Sequence, residues 1–141
     1  FPTRRSSDLT DTPNGLMVPV IKAADSKSIW ELAAEITALS DRARNGKSTM
    51  DDLKGGTFTL TNAGSIGGVF TTPVINYPEV AILGVNAIRK RPMVVDDEIV
   101  IRDMMFLSMS VDHRVVDGAD AARFMNRLIY FLSEPSRLVF A

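Results

Sequence analysis

The spacing of apolar residues along the chain predicts two long amphipathic helices. The first covers residues 28–45, where Ser28 and Glu31 match a capping box that satisfies free amides at a helix start. The second runs from about Gly118 to Ser133 and is ended by Pro135. Apolar residues recur at helical spacing in both segments: Ile29, Leu32, Ala33, Ile36, Leu39 and Ala43 in the first, and Ala121, Ala122, Phe124, Met125, Leu128 and Leu132 in the second.

Strands are predicted where apolar residues alternate or form short β-branched runs. Residues 57–62 alternate threonine with Phe58 and Leu60, which predicts a strand, and residues 80–85 are a buried-strand candidate. Residues 104–111 predict a long strand. Asp96 and Asp97 separate two short apolar runs, which indicates a hairpin. Residues 16–21 predict a strand that lies at an edge or ends early, because Pro19 lacks a backbone donor.

The order of these elements favours one fold class. A strand and a helix come first, then several strands, then a second helix. Strict alternation of strands and helices fails, because two helices accompany at least four strands. We therefore expect an α+β fold, a two-layer sandwich with a mixed β-sheet and helices packed on one face.

The amino end reads differently from the rest of the chain. Residues 1–9 (FPTRRSSDL) show no apolar periodicity and look more like read-through of a sequencing adapter than protein. Residues 1–10 are therefore interpreted as a non-native lead segment, and residues 11–141 as the part that carries the fold.

Composition excludes several function classes. The chain has no cysteine and one histidine, so disulfides, a cysteine nucleophile, thiolate metal sites and a multi-histidine zinc site are excluded. Its formal net charge of −1 gives no reason to expect nucleic acid as a partner. No apolar run approaches the ~20 residues that span a bilayer, so a membrane partner is not expected either.

The one histidine lies in the segment with the most chemical interest. His113 follows a predicted strand, and Asp117 stands four residues later at the predicted helix start, before Gly118. Imidazole titrates near neutral pH, which suits a general base. A lone histidine is more often structural, however, and an aspartate at a helix start is usually only a cap. The two residues by themselves leave both interpretations open.

The surrounding sequence resembles a known family. Residues 108–124 (SMSVDHRVVDGADAARF), 11–16 (DTPNGL), 55–62 (GGTFTLTN) and 78–84 (PEVAILG) are similar, in order, to the dihydrolipoamide acyltransferases. These enzymes form the core of 2-oxoacid dehydrogenase complexes. The resemblance implies a chloramphenicol-acetyltransferase-like fold, of which residues 11–141 would be the C-terminal portion of an incomplete catalytic domain. Several motifs in register make the resemblance specific.

The resemblance implies a mechanism and roles for three residues. His113 would remove the proton from the thiol of coenzyme A or of dihydrolipoamide, and the thiolate would attack a thioester. Thr61, which matches the family's serine or threonine, would donate a hydrogen bond to the oxyanion. Asp117 would keep the loop in place. No metal is implied, and the coenzyme A contacts are not identified.

The resemblance also implies partners and a setting. The active site would lie between subunits of a homotrimer that assembles into a larger core, with lipoyl domains, a 2-oxoacid dehydrogenase and dihydrolipoamide dehydrogenase as partners. The lipoate would be carried on a separate lipoyl domain. Residues 64–68 and 75–78 look closer to pyruvate and branched-chain members than to succinyl-transferring ones. The expected location is the bacterial cytoplasm or the mitochondrial matrix. We expect the 141-residue chain alone to be poorly active.

Two other interpretations compete with this one, and the role of one basic segment stays open. Residues 63–67 vary the G-x-S-x-G nucleophile elbow, so a serine hydrolase that uses Ser65 is a rival enzyme. A non-catalytic scaffold of the same complexes is a rival from another class. The basic run Arg89-Lys90-Arg91 suits either a solvated turn or contact with a coenzyme A phosphate.

Overall fold

The computed structural model describes residues 6–8, 10–12 and 15–138, which form a mixed sheet with two long helices and two small hairpins. The elements in chain order are β1 (Ser6–Asp8), β2 (Thr10–Thr12), β3 (Gly15–Met17), β4 (Val20–Ile21), α1 (Ile29–Arg44), β5 (Phe58–Asn62), β6 (Ala81–Val85), β7 (Arg89–Val95), β8 (Glu98–Met104), β9 (Leu107–Val111) and α2 (Gly118–Ser133). Short 3-10 turns lie at Ala24–Ser26, Gly64–Ile66 and Pro135–Leu138.

The main sheet has five strands in the order β4-β1-β5-β6-β9. β5 pairs in parallel with β1 and β6, whereas β9 pairs antiparallel with β6. Four of the five residues of β6 are buried, and Ile82 is only 2% exposed. Mixed pairing and packed helices confirm the predicted α+β class.

Helix α1 follows its prediction closely. Ser28 is the N-cap, and both hydrogen bonds of the capping box with Glu31 are present. Its C-terminal turn is followed by Gly46, whose φ of +66° is the left-handed conformation that glycine adopts readily. Leu39 and Ala43 are buried, and the helix contacts β2 and β4. The remainder of the predicted apolar stripe is only partly covered.

The predicted hairpin around Asp96 and Asp97 is present and longer than expected. β7 and β8 pair over seven residues each, and both aspartates have positive φ, at 51° and 64°. Two consecutive left-handed residues give a turn whose twist matches paired strands. The hairpin is a separate two-stranded sheet that projects from the main one.

Two local predictions need correction. Residues 104–111 are not one strand, because Met104 ends β8 and β9 begins at Leu107; the Asn86 side-chain amide donates to the Phe106 carbonyl at 2.9 Å within the break. Residues 16–21 divide into β3 and β4 around Pro19, and β4 is an edge strand, as the missing donor required.

The amino-terminal residues that the structure describes also join the sheet. β1 lies between β4 and β5, where Ser7 pairs with Val20 and Thr59. Residues 1–5 and 9 lie outside the described part of the chain. The non-native origin of residues 1–10 stays a prediction, since pairing of three residues does not reveal where a segment comes from.

Helix α2 begins and ends where the sequence predicted. Phe124 contacts Phe58 of β5, with ring centroids 5.7 Å apart, so the helix lies over the face of the sheet that carries Phe58. The opposite face is covered by residues 67–78: the Ser108 hydroxyl lies 3.0 Å from that of Thr71, and Ser110 donates to the Pro73 carbonyl at 2.6 Å.

Candidate active site

His113 lies in a tight turn between β9 and α2. Strand β9 ends at Val111, where the predicted strand also ends, so His113 stands two residues beyond the strand. The backbone N–H of Asp112 donates to the Val80 carbonyl at 2.8 Å, and the N–H groups of Val115 and Val116 donate to the Asp112 carbonyl at 2.9 Å each. These bonds fix the turn to the start of β6, and the His113 side chain is exposed there.

An ion pair spans the histidine. Two guanidinium nitrogens of Arg114 donate to the Asp112 carboxylate, Nε at 2.9 Å and Nη2 at 2.7 Å. The Arg114 backbone N–H donates to the same carboxylate at 3.0 Å. The Arg114 side chain and then its backbone N–H lower the pKa of Asp112 from 3.8 to about 2, so the carboxylate stays ionised across the neutral range.

Sequence reasoning missed this pair. Asp112 and Arg114 flank His113 with a spacing of two, and aspartate often bonds the backbone two residues ahead of itself. That spacing was the available signal. The pair closes the turn around His113 and thereby restricts where the imidazole can lie.

Asp117 is the N-cap of α2. Its carboxylate accepts a hydrogen bond from the Asp120 backbone N–H at 2.8 Å, and its backbone is extended, as N-cap residues are. The Asp117 carbonyl also accepts the first helical bond, from Ala121 at 3.1 Å. The geometry gives Asp117 a bracing position at the end of the turn that begins at Asp112.

Thr61 occupies the opposite end of the sheet. It is the penultimate residue of β5, is half-buried, and lines an open cleft of about 720 Å³. Polar and apolar side chains of α1 and of the turn after β5 complete the cleft, including Ile36, Ser40, Arg44 and Ser65. A hydroxyl at this position faces a space that a substrate can enter.

Close packing explains the glycine opposite Thr61. Gly84 pairs with Thr61 on one side and Ser108 on the other. A Cβ at Gly84 would lie 2.4 Å from the Thr71 hydroxyl and 2.6 Å from the Ser108 hydroxyl, both far too close. The missing side chain lets residues 67–78 pack directly over the row of residues that contains Thr61.

The structure does not bring Thr61 and His113 together within one chain. Thr61 is level with Ser108 in the sheet, two strands away, and β9 then runs to Val111 at the other end. At about 3.3 Å per residue and about 4.8 Å per strand, Thr61 lies roughly 14 Å from Val111. The bond from Asp112 to Val80 keeps the His113 turn at that far end.

The other sequence signals have structural explanations. Ser65 lies in a 3-10 turn, and an irregular segment follows it where a nucleophile elbow needs an α-helix. A Cβ at Gly64 would meet the Asn86 carbonyl carbon and oxygen at 2.9 Å, so this glycine serves close packing. The hydrolase interpretation therefore has no local geometry in its favour.

The basic run at 89–91 opens strand β7, and the expectation of a solvated turn is wrong for it. Arg89 donates to the Gly67 carbonyl at 3.3 Å, Lys90 pairs with Asp103 at 3.1 Å, and the Arg91 guanidinium lies 4.9 Å from the centre of the Phe106 ring. All three cations already have partners within the chain.

Two features are absent from the described residues. No helix among them is both long and apolar enough to cross a membrane. Residues 6–8, 10–12 and 15–138 also contain no cluster of three or more histidine, cysteine or acidic side chains that could hold a metal ion.

Residues 9–140 match the family described as 2-oxoacid dehydrogenases acyltransferase (catalytic domain). The chain belongs to this family of acyltransferase catalytic domains.

Its relatives are components of three different dehydrogenase complexes. The chain is 51% identical over 129 residues to the lipoamide acyltransferase component of the branched-chain α-keto acid dehydrogenase complex of Pseudomonas putida, covering 92% of this chain and 30% of that protein. It is 51% identical to the pyruvate dehydrogenase acetyltransferase component of Acholeplasma laidlawii, covering 92% and 24%. It is 47% identical to the 2-oxoglutarate dehydrogenase succinyltransferase component of Buchnera aphidicola, covering 91% and 31%.

Solved structures share the fold over most of the chain. Azotobacter vinelandii dihydrolipoamide acetyltransferase superposes with a TM-score of 0.92 at 44% identity, covering 96% of this chain and 56% of that one. The cubic core of a pyruvate dehydrogenase multienzyme complex gives 0.92 at 43% identity, with the same coverage. The chain thus spans just over half of the similar solved chains and about 30% of the curated relatives. The chloramphenicol-acetyltransferase-like α+β fold is confirmed.

The A. vinelandii structure addressed the role of three residues in catalysis: a serine, a histidine 52 positions later and an asparagine four positions after that. Thr61 and His113 are also 52 positions apart, and Asp117 follows four positions later. The hydroxyl and the histidine thus recur at the same spacing, whereas the third position carries a carboxylate in place of an amide.

Proposed function

We propose that the protein to which this chain belongs transfers an acyl group between coenzyme A and the dihydrolipoamide of a lipoyl domain, in the core of a 2-oxoacid dehydrogenase complex. The observation that carries the proposal is the spacing of Thr61, His113 and Asp117, which reproduces the three residues studied in the A. vinelandii acetyltransferase. The open cleft at Thr61 and the rigid, exposed turn at His113 support it.

His113 acts as the general base. Its imidazole accepts the proton of the attacking thiol, and the thiolate sulfur forms a new bond to the thioester carbonyl carbon. The carbonyl oxygen then carries a negative charge, and the Thr61 hydroxyl donates a hydrogen bond to it. When the oxyanion collapses, the original carbon–sulfur bond breaks, and the leaving thiolate takes the proton back from the imidazolium. The reaction needs no oxidant and no metal ion.

Asp117 has a structural role in this scheme. As N-cap it holds the start of α2 and the end of the His113 turn, and an asparagine side chain can cap a helix equally well. The asparagine of the A. vinelandii enzyme is therefore compatible with the same role. Asp112 and Arg114 hold the other side of the turn.

Two copies supply the residues of one active site. Thr61 and His113 lie at opposite ends of the sheet in a single chain, so the hydroxyl of one copy serves the imidazole of a neighbour. A closed trimer of such head-to-tail contacts gives three equivalent sites, and further assembly gives a larger core. Lipoyl domains, a 2-oxoacid dehydrogenase and dihydrolipoamide dehydrogenase are the proposed partners, in the bacterial cytoplasm or the mitochondrial matrix.

The acyl group is proposed to be acetyl or branched-chain. The Pseudomonas and Acholeplasma relatives are each 51% identical to the chain, whereas the Buchnera succinyltransferase component is 47% identical. This difference in sequence identity supports acetyl or branched-chain transfer over succinyl transfer. An assay with three acyl donors tests the order.

The test uses the full-length protein and three acyl donors: acetyl-, isobutyryl- and succinyl-coenzyme A, with dihydrolipoamide as acceptor. His113→Ala is expected to lower kcat about 10²–10⁴-fold. Thr61→Ala is expected to lower it about 10²–10³-fold, and Thr61→Ser to retain most activity because it keeps the hydroxyl. Transfer that survives His113→Ala would refute the mechanism.

Mixing gives a sharper test of the shared site. His113→Ala and Thr61→Ala copies are each expected to be inactive alone, but mixed assemblies pair an intact Thr61 with an intact neighbouring His113 and regain activity. Assemblies that form without any transfer from the wild type would favour the non-catalytic scaffold. Ester hydrolysis abolished by Ser65→Ala would favour the hydrolase.

A further inference from the structure

Glu79 carries a buried carboxylate that the proposed mechanism does not use. The residue is 7% exposed and lies in the segment that leads into β6, one position before Val80. Its carboxylate accepts a hydrogen bond from the Thr59 hydroxyl at 2.6 Å. Burial of an ionised side chain is costly unless hydrogen bonds replace its hydration. A carboxylate in this position is therefore a candidate for a role beyond filling space.

Thr59 is a firm anchor for this carboxylate. It is 0% exposed and lies in β5, where its backbone pairs with that of Ile82 in β6. A threonine side chain is stiff at χ1 because its Cβ is branched. Thr59 thus holds the start of β6 at two points: through the backbone at Ile82 and through its hydroxyl at Glu79.

Val80, the residue after Glu79, carries the acceptor that attaches the His113 turn to the sheet. Its carbonyl accepts a hydrogen bond from the Asp112 backbone N–H at 2.8 Å. The Asp112 carbonyl in turn accepts from the N–H groups of Val115 and Val116, which closes the turn. The direction of the Val80 carbonyl therefore sets where the turn lies.

We propose that Glu79 is a positioning residue for the general base. Its bond to Thr59 fixes the Val80 carbonyl, and that carbonyl holds the turn that carries His113. The inference rests on the proposed function, in which His113 removes the proton of the attacking thiol. One residue of backbone joins Glu79 to the Val80 carbonyl, so loss of the carboxylate lets the carbonyl rotate and the turn move with it.

Thr61, the other half of the proposed active site, lies farther from this bond. It shares a face of β5 with Thr59, because side chains alternate along a strand. The two threonines are two residues apart, which is about 7 Å along the strand. Glu79 precedes β6, whereas Thr61 pairs with Gly84 near the end of β6. The carboxylate therefore lies toward the His113 turn rather than toward Thr61.

The test uses the full-length protein, with dihydrolipoamide and the acyl-coenzyme A that the wild type transfers fastest. Glu79→Ala is expected to lower kcat about 10–100-fold and to change KM less than about twofold, because a displaced base misaligns proton transfer without removing a substrate contact. Glu79→Gln is expected to recover most of the kcat, since its amide oxygen still accepts a hydrogen bond from Thr59. A loss in Glu79→Gln equal to that in Glu79→Ala would contradict a role through this bond.

The partner of Glu79 gives an independent pair of variants. Thr59→Val removes the hydroxyl with little change of shape and is expected to lower kcat in the same way, whereas Thr59→Ser keeps the donor and most of the activity. Glu79→Ala combined with Thr59→Val should be no slower than Glu79→Ala, because both changes break one bond. The matched control is Leu39→Ala, which truncates a buried side chain on α1 and should leave kcat and KM unchanged. An equal loss of kcat in this control would refute the proposal.

Two backgrounds identify the half-site through which Glu79 acts. In His113→Ala, the further change Glu79→Ala should lower the residual rate no more, because the base that it positions is already gone. In Thr61→Ala, the same change should lower the rate by its full 10–100-fold, about as it does in the wild type. The reverse pattern would mean that Glu79 acts through Thr61, and the proposal would be wrong.

Hydrogen exchange measured by mass spectrometry follows the same link without an activity assay. Peptides that cover residues 112–116 should exchange about tenfold faster in Glu79→Ala than in the wild type, because the Asp112 N–H loses a fixed acceptor, whereas peptides of α1 should not change. Unchanged exchange in the turn would overturn the proposal. Far-ultraviolet circular dichroism verifies folding, and Thr59→Val carries the same measurements if Glu79→Ala does not fold.

These outcomes separate the inference from the function on which it rests. An active wild type whose kcat and turn exchange are insensitive to Glu79→Ala would refute the positioning role and leave acyl transfer standing. A wild type that transfers none of the three acyl groups would refute the proposed function. Faster exchange of the turn in Glu79→Ala would then still establish the link from Glu79 to the His113 turn.

Discussion

The two long helices differ in how much of their apolar surface is covered. Both have 16 residues, and both begin with a side-chain N-cap, Ser28 for α1 and Asp117 for α2. Helix α1 buries Leu39 and Ala43 against neighbouring strands, whereas α2 buries no residue within the described part of the chain. Local sequence signals thus specify both helices equally well. The two helices differ in how much of their surface packs against the rest of the described chain.

The uncovered surface of α2 is large and apolar. Four of its side chains are 42–47% exposed: Phe124, Ile129, Tyr130 and Leu132. Arg127 lies over the Tyr130 and Phe131 rings, which covers part of this surface with a cation rather than with core. An amphipathic helix with no buried residue is expected to have a partner that these 141 residues do not supply.

The comparison with solved structures gives this difference a meaning. The chain spans 56% of the A. vinelandii acetyltransferase chain. A layer that covers α2 is expected among the remaining residues of such a domain, because a helix of a packed domain buries its apolar stripe against another element. For the same reason the 141-residue chain alone is expected to be poorly active: the helix that follows His113 lacks its packing.

The largest expected effect comes from truncation of core side chains in the full-length protein. Leu39→Ala in α1 should lower the free energy of unfolding by about 2–5 kcal/mol, since Leu39 is 4% exposed and its loss leaves a cavity. Leu132→Ala in α2 should cost at least about 2 kcal/mol if the rest of the domain covers that helix. Chemical denaturation measures both values.

Trp30→Ala is the control for the truncations. Trp30 is 85% exposed, so its removal should change the free energy of unfolding by less than about 0.5 kcal/mol. If Leu132→Ala behaves like Trp30→Ala rather than like Leu39→Ala, the surface of α2 stays open in the full-length protein, and the expected covering layer does not exist.

The two N-caps should have equal effects on stability but different effects on activity. Ser28→Ala and Asp117→Ala should each cost about 0.5–2 kcal/mol, because each leaves an amide of the first turn without its acceptor. Only Asp117→Ala should also lower kcat for acyl transfer, about tenfold, with little change in KM, since Asp117 braces the His113 turn.

Asp117→Asn distinguishes a brace from a proton carrier. An amide caps a helix but cannot exchange a proton at neutral pH, so this variant should recover the stability and most of the kcat. Loss of activity equal to that of Asp117→Ala, with stability restored, would show that the carboxylate takes part in the chemistry.

Local signals explain which parts of the fold were predictable from the sequence. The bounds of α1 and α2 were predictable from the sequence, because the residues that set them act within a turn of their own position. These residues are Ser28, Glu31, Asp117 and Pro135. The break at residues 105–106 was not predictable, because the Phe106 carbonyl accepts a hydrogen bond from Asn86, which lies 20 positions away. Two short strands, β2 and β3, also form a small hairpin that the apolar pattern did not reveal.

The candidate site divides in the same way. Thr61, His113 and Asp117 were identified by their motifs, but their placement at opposite ends of the sheet required the register of β5, β6 and β9. Strand register is set by pairing between distant segments, so no local pattern contains it. Asp112 and Arg114 escaped notice because an aspartate and an arginine two apart are usually read as solvated charge.

The smallest expected effect concerns two aspartates, one near each helix. Hydrogen bonds from Arg42 and from the Thr49 backbone lower the pKa of Asp52 from 3.8 to about 2, and Arg114 does the same for Asp112. A lowered folded-state pKa stabilises the folded protein fully above the unfolded value of 3.8, and this stability is lost as the pH falls toward 2. Both pairs therefore contribute to acid sensitivity below pH 4, not near neutrality.

The two pairs should contribute unequally. The Arg42 side chain is 44% exposed and that of Arg114 is 84% exposed, so water screens the pair beside His113 more strongly. The urea midpoint of the full-length wild type should be higher at pH 6 than at pH 3. Asp52→Asn should therefore reduce this difference between the two midpoints more than Asp112→Asn does. An equal reduction by the two variants would mean that the covering layer also shields the His113 turn from water. The expected contact of α2 would then extend to the turn before it.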